Sequence, residues 1–164
     1  MEATMTTDQD ATSGRRTTLV FGLGQEEYAI DIALVRELRA YGAVTRLVNA
    51  PACLKGVTNL RGVIVPLVDL RIMFGRPAPD YDASTVVVIL DLGGRTVGIV
   101  VDRVADVVAL APAQLHPAPR LGAAVAGGAD HVLAVATVEG RMLILVDMAR
   151  LLAGYHAAPL PLAA

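Results

Sequence analysis

The chain presents the same order of elements twice, and this repeat narrows its architecture more than any other feature. Leu23-Gly24 followed by Tyr28-Ala29-Ile30 resembles Leu92-Gly93 followed by Val97-Gly98-Ile99, an offset of 69 positions from Leu23 to Leu92. Further on, Gly62-Val63-Ile64-Val65-Pro66-Leu67-Val68-Asp69 resembles Gly140-Arg141-Met142-Leu143-Ile144-Leu145-Val146-Asp147, an offset of 78 from Asp69 to Asp147. Identity is weak, but the order is shared: hairpin, short helix, hairpin, aspartate, helical turn. The difference between the offsets falls in a long Ala/Pro/Gly-rich connection, residues 111–130. Units this small bury too little apolar surface on their own. They are expected to pack on one another along an apolar seam, with grooves beside it as docking sites.

Between the repeats run many short apolar segments punctuated by turn residues. Residues 18–23 and 27–32 read as a hairpin turned at Gly24-Gln25-Glu26, with Tyr28, Ile30 and Ile32 on one face. Residues 33–39 have helical spacing, since Leu34 and Leu38 lie four apart, and a short strand is expected at 44–48. A hairpin over 59–69 leads into a helical turn at 70–74. A second hairpin, 85–92 with 96–101, turns on Gly93-Gly94. Residues 104–110 read as a strand or short helix. A third hairpin, 132–138 with 141–146, turns on Glu139-Gly140, and 148–152 is a last helical turn. Polar residues 1–16 read as a disordered arm and 155–164 as a loose tail. The folded domain is then 17–154, two intertwined subdomains with a repeat boundary near 80–84. The fold class expected is mainly β, small antiparallel barrels or a sandwich with a few short helices.

Composition excludes several functions. Aromatic residues are 4% of the 164 and Trp is absent, so the core must be aliphatic. A net charge of −2 creates no general attraction to nucleic acid or anionic lipid. Arginine supplies all the positive charge except Lys55, and it is scattered rather than clustered with aromatics, so a nucleic-acid surface is not expected. The one cysteine, Cys53, allows no internal disulfide and has no nearby base, so it reads as a semi-buried filler. No secretory h-region opens the chain and no apolar run reaches the roughly 18 residues needed to span a bilayer. A soluble, cytoplasmic protein without membrane insertion is expected.

Catalytic signatures are absent. The serines, Ser13 and Ser84, sit in no nucleophile elbow, and His116, His131 and His156 have no metal-ligand spacing. Gly22-Leu23-Gly24 lacks the third glycine and helix of a dinucleotide loop. Aspartates recur at element ends, as Asp31, Asp69, Asp102 and Asp147. They read best as caps of the short helices that follow strands. An acid–base role for them keeps a ligand-binding or hydrolytic barrel open as the rival reading.

Residues 55–70 pair a small polar turn with a β-branched strand. Asn59 and Gly62 suit backbone geometries that other residues resist, and Arg61 between them is a fixed charge on a loop. Pro66 removes a ladder donor, which predicts an edge strand or a bulge. Glu37, among apolar neighbours, is either a solvated charge or an interface contact.

With Glu27-Tyr28-Ala29-Ile30-Asp31-Ile32, Val35-Arg36-Glu37-Leu38, Lys55-Gly56-Val57-Thr58-Asn59-Leu60-Arg61-Gly62 and Pro66-Leu67-Val68-Asp69-Leu70, the chain resembles the CheW family of bacterial chemotaxis coupling proteins. Val97-Gly98-Ile99-Val100-Val101-Asp102 and Arg141-Met142-Leu143-Ile144-Leu145 extend the resemblance, which covers about residues 18 to 153. It implies two SH3-like five-stranded β-barrel subdomains and a non-enzymatic adaptor with no cofactor. The implied partners are the histidine kinase CheA, through its regulatory C-terminal domain, and the cytoplasmic tips of methyl-accepting chemoreceptors. Ring assembly with other CheW-like domains and recruitment to membrane receptor arrays are implied as well. Val35, Glu37, Gly56, Asn59, Arg61 and Gly62 match the kinase and receptor coupling region, and Val86, Gly98, Val104 and Val107 match a receptor-binding groove. The family often has glycine near Ala134 and Ala136, where this chain has alanine.

Overall fold

The structure, a computed structural model, describes residues 14–76, 79–117 and 131–153. Eleven strands form two sheets. In chain order they are β1 (Arg16–Leu23), β2 (Glu26–Asp31), β3 (Val35–Ala40), β4 (Leu54–Leu60), β5 (Val63–Asp69), β6 (Val86–Asp91), β7 (Thr96–Val101), β8 (Arg103–Leu110), β9 (Leu115–His116), β10 (Val132–Val138) and β11 (Arg141–Val146). Helix α1 (Leu70–Met73) follows β5 and α2 (Met148–Leu151) follows β11. One sheet has the order β3-β6-β7-β5-β4, the other β8-β1-β2-β11-β10-β9. The protein is mainly β, and each sheet is the frame of one SH3-like subdomain.

The sheets interleave. Each takes hairpins from both sides of residues 80–84, because β3 crosses from the β1–β2 hairpin to pair with β6, while β8 crosses from β6–β7 to pair with β1. The two crossings are the same pairing exchanged: Phe21 lies opposite Val104, and Leu90 lies opposite Val35. The β4–β5 and β10–β11 hairpins also correspond, with Pro66 opposite Val57 and Ile144 opposite Val135. Even the register shifts recur, between Leu54 and Gly56 and between Val132 and Ala134.

This exchange explains the apolar runs in the sequence. Strands β1, β2, β6 and β7 are covered on both faces. Leu19, Phe21, Leu23, Tyr28 and Ile30 meet Val88, Leu90, Val97, Ile99 and Val101 in a central cluster between the sheets. The alternate residues turn inward, Val20 and Ala29 into one barrel and Val87, Ile89 and Val100 into the other. A strand buried on both faces reads as continuous aliphatic sequence rather than as an alternation.

Several expectations need correction. Residues 33–39 are not helical. A 3-10 turn, Ile32–Leu34, capped by Asp31 on the Ala33 amide, gives way at once to β3. Pairing with β6 overrode the helical spacing of Leu34 and Leu38. Residues 44–48 form no strand beyond a single bridge, Thr45 with Val57. Strand β5 is internal, not an edge, although β7 flanks it only from Leu67 to Asp69, leaving Pro66 just beyond that ladder. The positive φ angles of the β4–β5 turn belong to Arg61 (50°) and Gly62 (86°), not to Asn59. Residues 104–110 lie in a strand, β8. The connection from residue 111 begins with a 3-10 turn at Pro112–Gln114 and β9 paired to β10, and residues 118–130 lie outside the described residues. The polar arm falls mostly outside the described residues, and Arg16 already belongs to β1. The tail from 155 also lies outside them.

Asp69 and Asp147 cap α1 and α2 as expected, but Asp102 caps no helix. It accepts hydrogen bonds from the Gly24 amide (2.6 Å), Arg71 (3.0 Å) and Arg76 (2.9 Å). Arg71, 2% exposed, also binds both carboxylate oxygens of the fully buried Asp69. The network ties α1 to the β1–β2 turn and so joins the two subdomains. Burial alone would raise the Asp102 carboxyl, yet the Gly24 amide and the Arg76 and Arg71 guanidiniums hold it below the usual carboxylate range.

Gly56 has a structural task. A Cβ there would lie 2.1 Å from the Thr45 carbonyl oxygen, and its φ is 142°. Only glycine lets the chain after β3 close onto β4.

Three outcomes follow for stability. Arg71→Leu strands a buried carboxylate and is expected to cost about 3–5 kcal/mol in chemical denaturation, while the double change Asp69→Asn/Arg71→Met costs much less. Equal losses in the two variants would show that the pair contributes by packing rather than charge. The stabilising effect of Asp102 is complete above the unfolded carboxylate pKa and is lost as pH falls through its lower folded value. Asp102→Asn should therefore flatten the acid limb of the stability–pH curve. Gly56→Ala is expected to cost about 1–3 kcal/mol by the same measurement, more than Gly62→Ala, where a Cβ meets open space.

Candidate docking surface

The site grows from the β4–β5 turn. Leu60 and Val63 close a two-residue turn whose central residues, Arg61 and Gly62, both have positive φ. That geometry follows the twist of the strands and favours Asn, Asp or Gly at its first central position. Arginine in the left-handed region costs about 1–2 kcal/mol. The Gly62 amide donates to Asn59 Oδ1 at 2.8 Å, and this hydrogen bond helps hold the turn. Asn59 thus supports Arg61 through its side chain.

The first barrel curls until this turn reaches the far edge of its own sheet. Arg61 donates to Glu37 on β3, and Arg39 bonds the other oxygen of Glu37 at 3.2 Å. Glu37 is no helix charge but part of the seam that closes the barrel. The Arg61 hydrogen bond, with help from Arg39, holds its carboxyl below the ordinary range. The second barrel closes in the same way: Arg141 bonds Asp106 on β8 at 3.0 and 3.1 Å and also clasps Glu27 on β2. Glu37 and Asp106 hold equivalent places just past matching register shifts. The pairs differ in exposure. The Arg61 side chain is 70% exposed, that of Arg141 31%.

Exposed apolar side chains flank the first pair. Val63 and Ile64 follow the turn, each about half exposed, and Leu38 faces solvent between Glu37 and Arg39. An exposed arginine followed by exposed aliphatic residues has the composition of an interface rather than of a reacting centre.

The expected site residues therefore divide. Glu37, Asn59, Arg61 and Gly62 come together. Val35 does not join them; Val35, Val86 and Val104 are each partly buried against the central cluster, Val35 and Val86 at opposite ends of the β3–β6 ladder. Val107 stands exposed on β8. Gly56 and Gly98 are buried. A Cβ on Gly98 would lie 2.5 Å from Leu67 Cδ2 and 3.1 Å from Val87 Cγ1, so this glycine fills the first barrel rather than lining a surface. Ala134 and Ala136 lie in the core of the second barrel. Arg39, Leu38, Val63 and Ile64 were not singled out in the sequence, because which face of a doubly apolar hairpin points outward depends on barrel closure.

Among the described residues, the recurring aspartates have structural partners. Asp69 and Asp102 meet on Arg71 and neutralise it, while Asp31 and Asp147 cap short helices. Among the described residues no group of three His, Cys, Asp or Glu could hold a metal ion. Likewise, no helix there is long and apolar enough to cross a membrane.

Known proteins carry the same pattern. Residues 17–155 match the family model of the CheW-like domain. The chain is 50% identical over 134 residues to the chemotaxis protein CheW of Klebsiella aerogenes, covering 82% of this chain and 80% of that one. It is 32% identical over 139 residues to the CheW of Rhizobium meliloti, covering 84% and 87%. The crystal structure of the scaffolding protein TtCheW from Thermoanaerobacter tengcongensis superposes with a TM-score of 0.72 at 27% identity, over 80% of this chain and 88% of that chain. With the interleaved barrels and the Asn59-Leu60-Arg61-Gly62 turn in place, the chain belongs to the CheW family.

Proposed function

We propose that this protein is a chemotaxis scaffold that couples chemoreceptor tips to the histidine kinase CheA without turning over a substrate. The observation that carries the reading is the Arg61–Glu37 pair, which the β4–β5 turn presents to solvent just before exposed Val63 and Ile64. An exposed ion pair adds little to stability, roughly 0–1 kcal/mol at most. The exposure of Arg61, 70% against 31% for its counterpart Arg141, is better explained by a partner that reads it. Val35, Val86 and Val104, each partly buried against the cluster between the sheets, leave apolar surface there suited to a receptor helical hairpin. Two faces on one rigid body let the protein transmit geometry between partners. Recruitment to receptor arrays and ring assembly with related domains follow from that role.

The test is binding of the regulatory domain of the cognate kinase and of a receptor tip fragment, with kinase activation measured alongside. Arg61→Ala is expected to leave the unfolding midpoint nearly unchanged while weakening kinase binding about tenfold or more, the behaviour of an interface hot spot. Exchanging the charges, Glu37→Arg with Arg61→Glu, keeps an intramolecular pair and should still fail to restore binding. Full binding and activation by Arg61→Ala would sink the proposal, and rescue by the exchange would reduce the pair to a barrel clasp.

A further inference from the structure

The first barrel also holds a cleft, near the end of β4 opposite to the coupling turn. Tyr41, Gly42, Val44, Arg46, Lys55 and Tyr81 line a space of about 330 Å³. Its wall is rigid. The rings of Tyr41 and Tyr81 stand 4.6 Å apart, and the Tyr81 hydroxyl donates to the buried Asp69 at 2.5 Å. The Arg71 guanidinium lies 4.7 Å from the centre of the Tyr81 ring. Lys55 Nζ lies 5.1 Å from the same centre. Neither Lys55, the chain's one lysine, nor Arg46 forms an ion pair with a carboxylate among the described residues. No carboxylate lines the cleft.

Tyr41, Val44 and Tyr81 pack against the barrel interior, but the repeat shows that the fold does not demand a tyrosine at 41 or a lysine at 55. At the offset of 69, Tyr41 corresponds to Leu110, and at the offset of 78, Lys55 corresponds to Leu133. The second barrel thus forms with leucines at both places. Through Gly42 the cleft adjoins a second depression lined by Arg39 and Thr58, and Arg39 is the partner of Glu37. A basic stripe therefore runs from Arg61 past Arg39 to Arg46 and Lys55, with Glu37 as the counter-charge at one end.

We propose that this cleft docks an acidic protein segment, one carboxylate side chain meeting Lys55 and Arg46 while a neighbouring apolar side chain lies on the tyrosine rings. The inference deepens the coupling reading by naming the chemistry of a partner segment. Its failure is separable, because kinase binding by the unmodified chain is measured apart from it.

The test uses the full chain with labelled tyrosines, four in all, so that ring resonances of Tyr41, Tyr81 and the core residue Tyr28 are followed by NMR. The probe is the blocked peptide Glu-Leu-Asp-Glu-Leu, with Gln-Leu-Asn-Gln-Leu and acetate as controls. The acidic peptide should shift Tyr41 and Tyr81 saturably while leaving Tyr28 in place, and Lys55→Gln/Arg46→Gln should weaken it about fivefold to tenfold. Arg46→Gln alone, at an exposed position, gives the same direction should the double variant fold poorly. Absence of saturation, equal shifts with the neutral peptide or with acetate alone, or an unchanged affinity in the variants would each overturn the proposal.

Discussion

The whole arrangement depends on one apolar cluster that belongs to neither subdomain. Leu19, Phe21 and Tyr28 from one sheet pack with Val88, Leu90 and Ile99 from the other, and Met148 and Leu152 of the last helical turn close the end. Among the described residues each barrel has a small interior of its own, seven buried residues in one and six in the other. Interiors of that size cannot offset the entropy of ordering a separate domain. Because β3 and β8 cross to the opposite sheet, separating the barrels would also strip an edge strand from each. Any face formed where the subdomains meet is consequently held as firmly as the core itself.

Charge reinforces this junction at one point. Arg71 lies where burial opposes its charge, and the carboxylates of Asp69 and Asp102 more than offset that opposition. Asp69 comes from the end of β5 and Asp102 from the segment after β7, which in turn accepts the Gly24 amide of the other subdomain's hairpin. A buried arginine shared between two acids tolerates little displacement of either. The polar network therefore sets the relative position of parts whose apolar contacts alone would permit sliding.

Much of this was legible in the sequence, and the gaps have physical causes. The repeat, the hairpins and the apolar seam were readable because turn residues and aliphatic runs are local signals: Gly93-Gly94 and Glu139-Gly140 mark their turns without help from tertiary structure. Residues 33–39 misled because Leu34 and Leu38 satisfy a helical period while the segment's strand character comes wholly from pairing with β6. Asp102 looked like its fellow aspartates, since nothing local distinguishes a cap from an acid aimed at a distant arginine. Gly56 and Gly98 were grouped with surface positions although each is required by a contact far along the chain, with Thr45 and with Leu67. A motif match transfers position, and only packing separates a residue a partner touches from one that lets the barrel close.

That separation gives a way to read the surface. Where the two barrels agree, the feature answers to the fold: both close with an arginine on an acid just past a register shift, and both turn their hairpins on a charged residue followed by glycine. Where they disagree, folding does not demand the difference. Arg61 projects into solvent while Arg141 is clasped by two acids, and a lysine–tyrosine cleft stands where the second barrel has leucines. Both departures fall on the first barrel and lie along one basic stripe. The second barrel provides an internal control for the first, because both form under the same packing constraints. The surplus charge of the first barrel is therefore best assigned to a partner rather than to the stability of the chain.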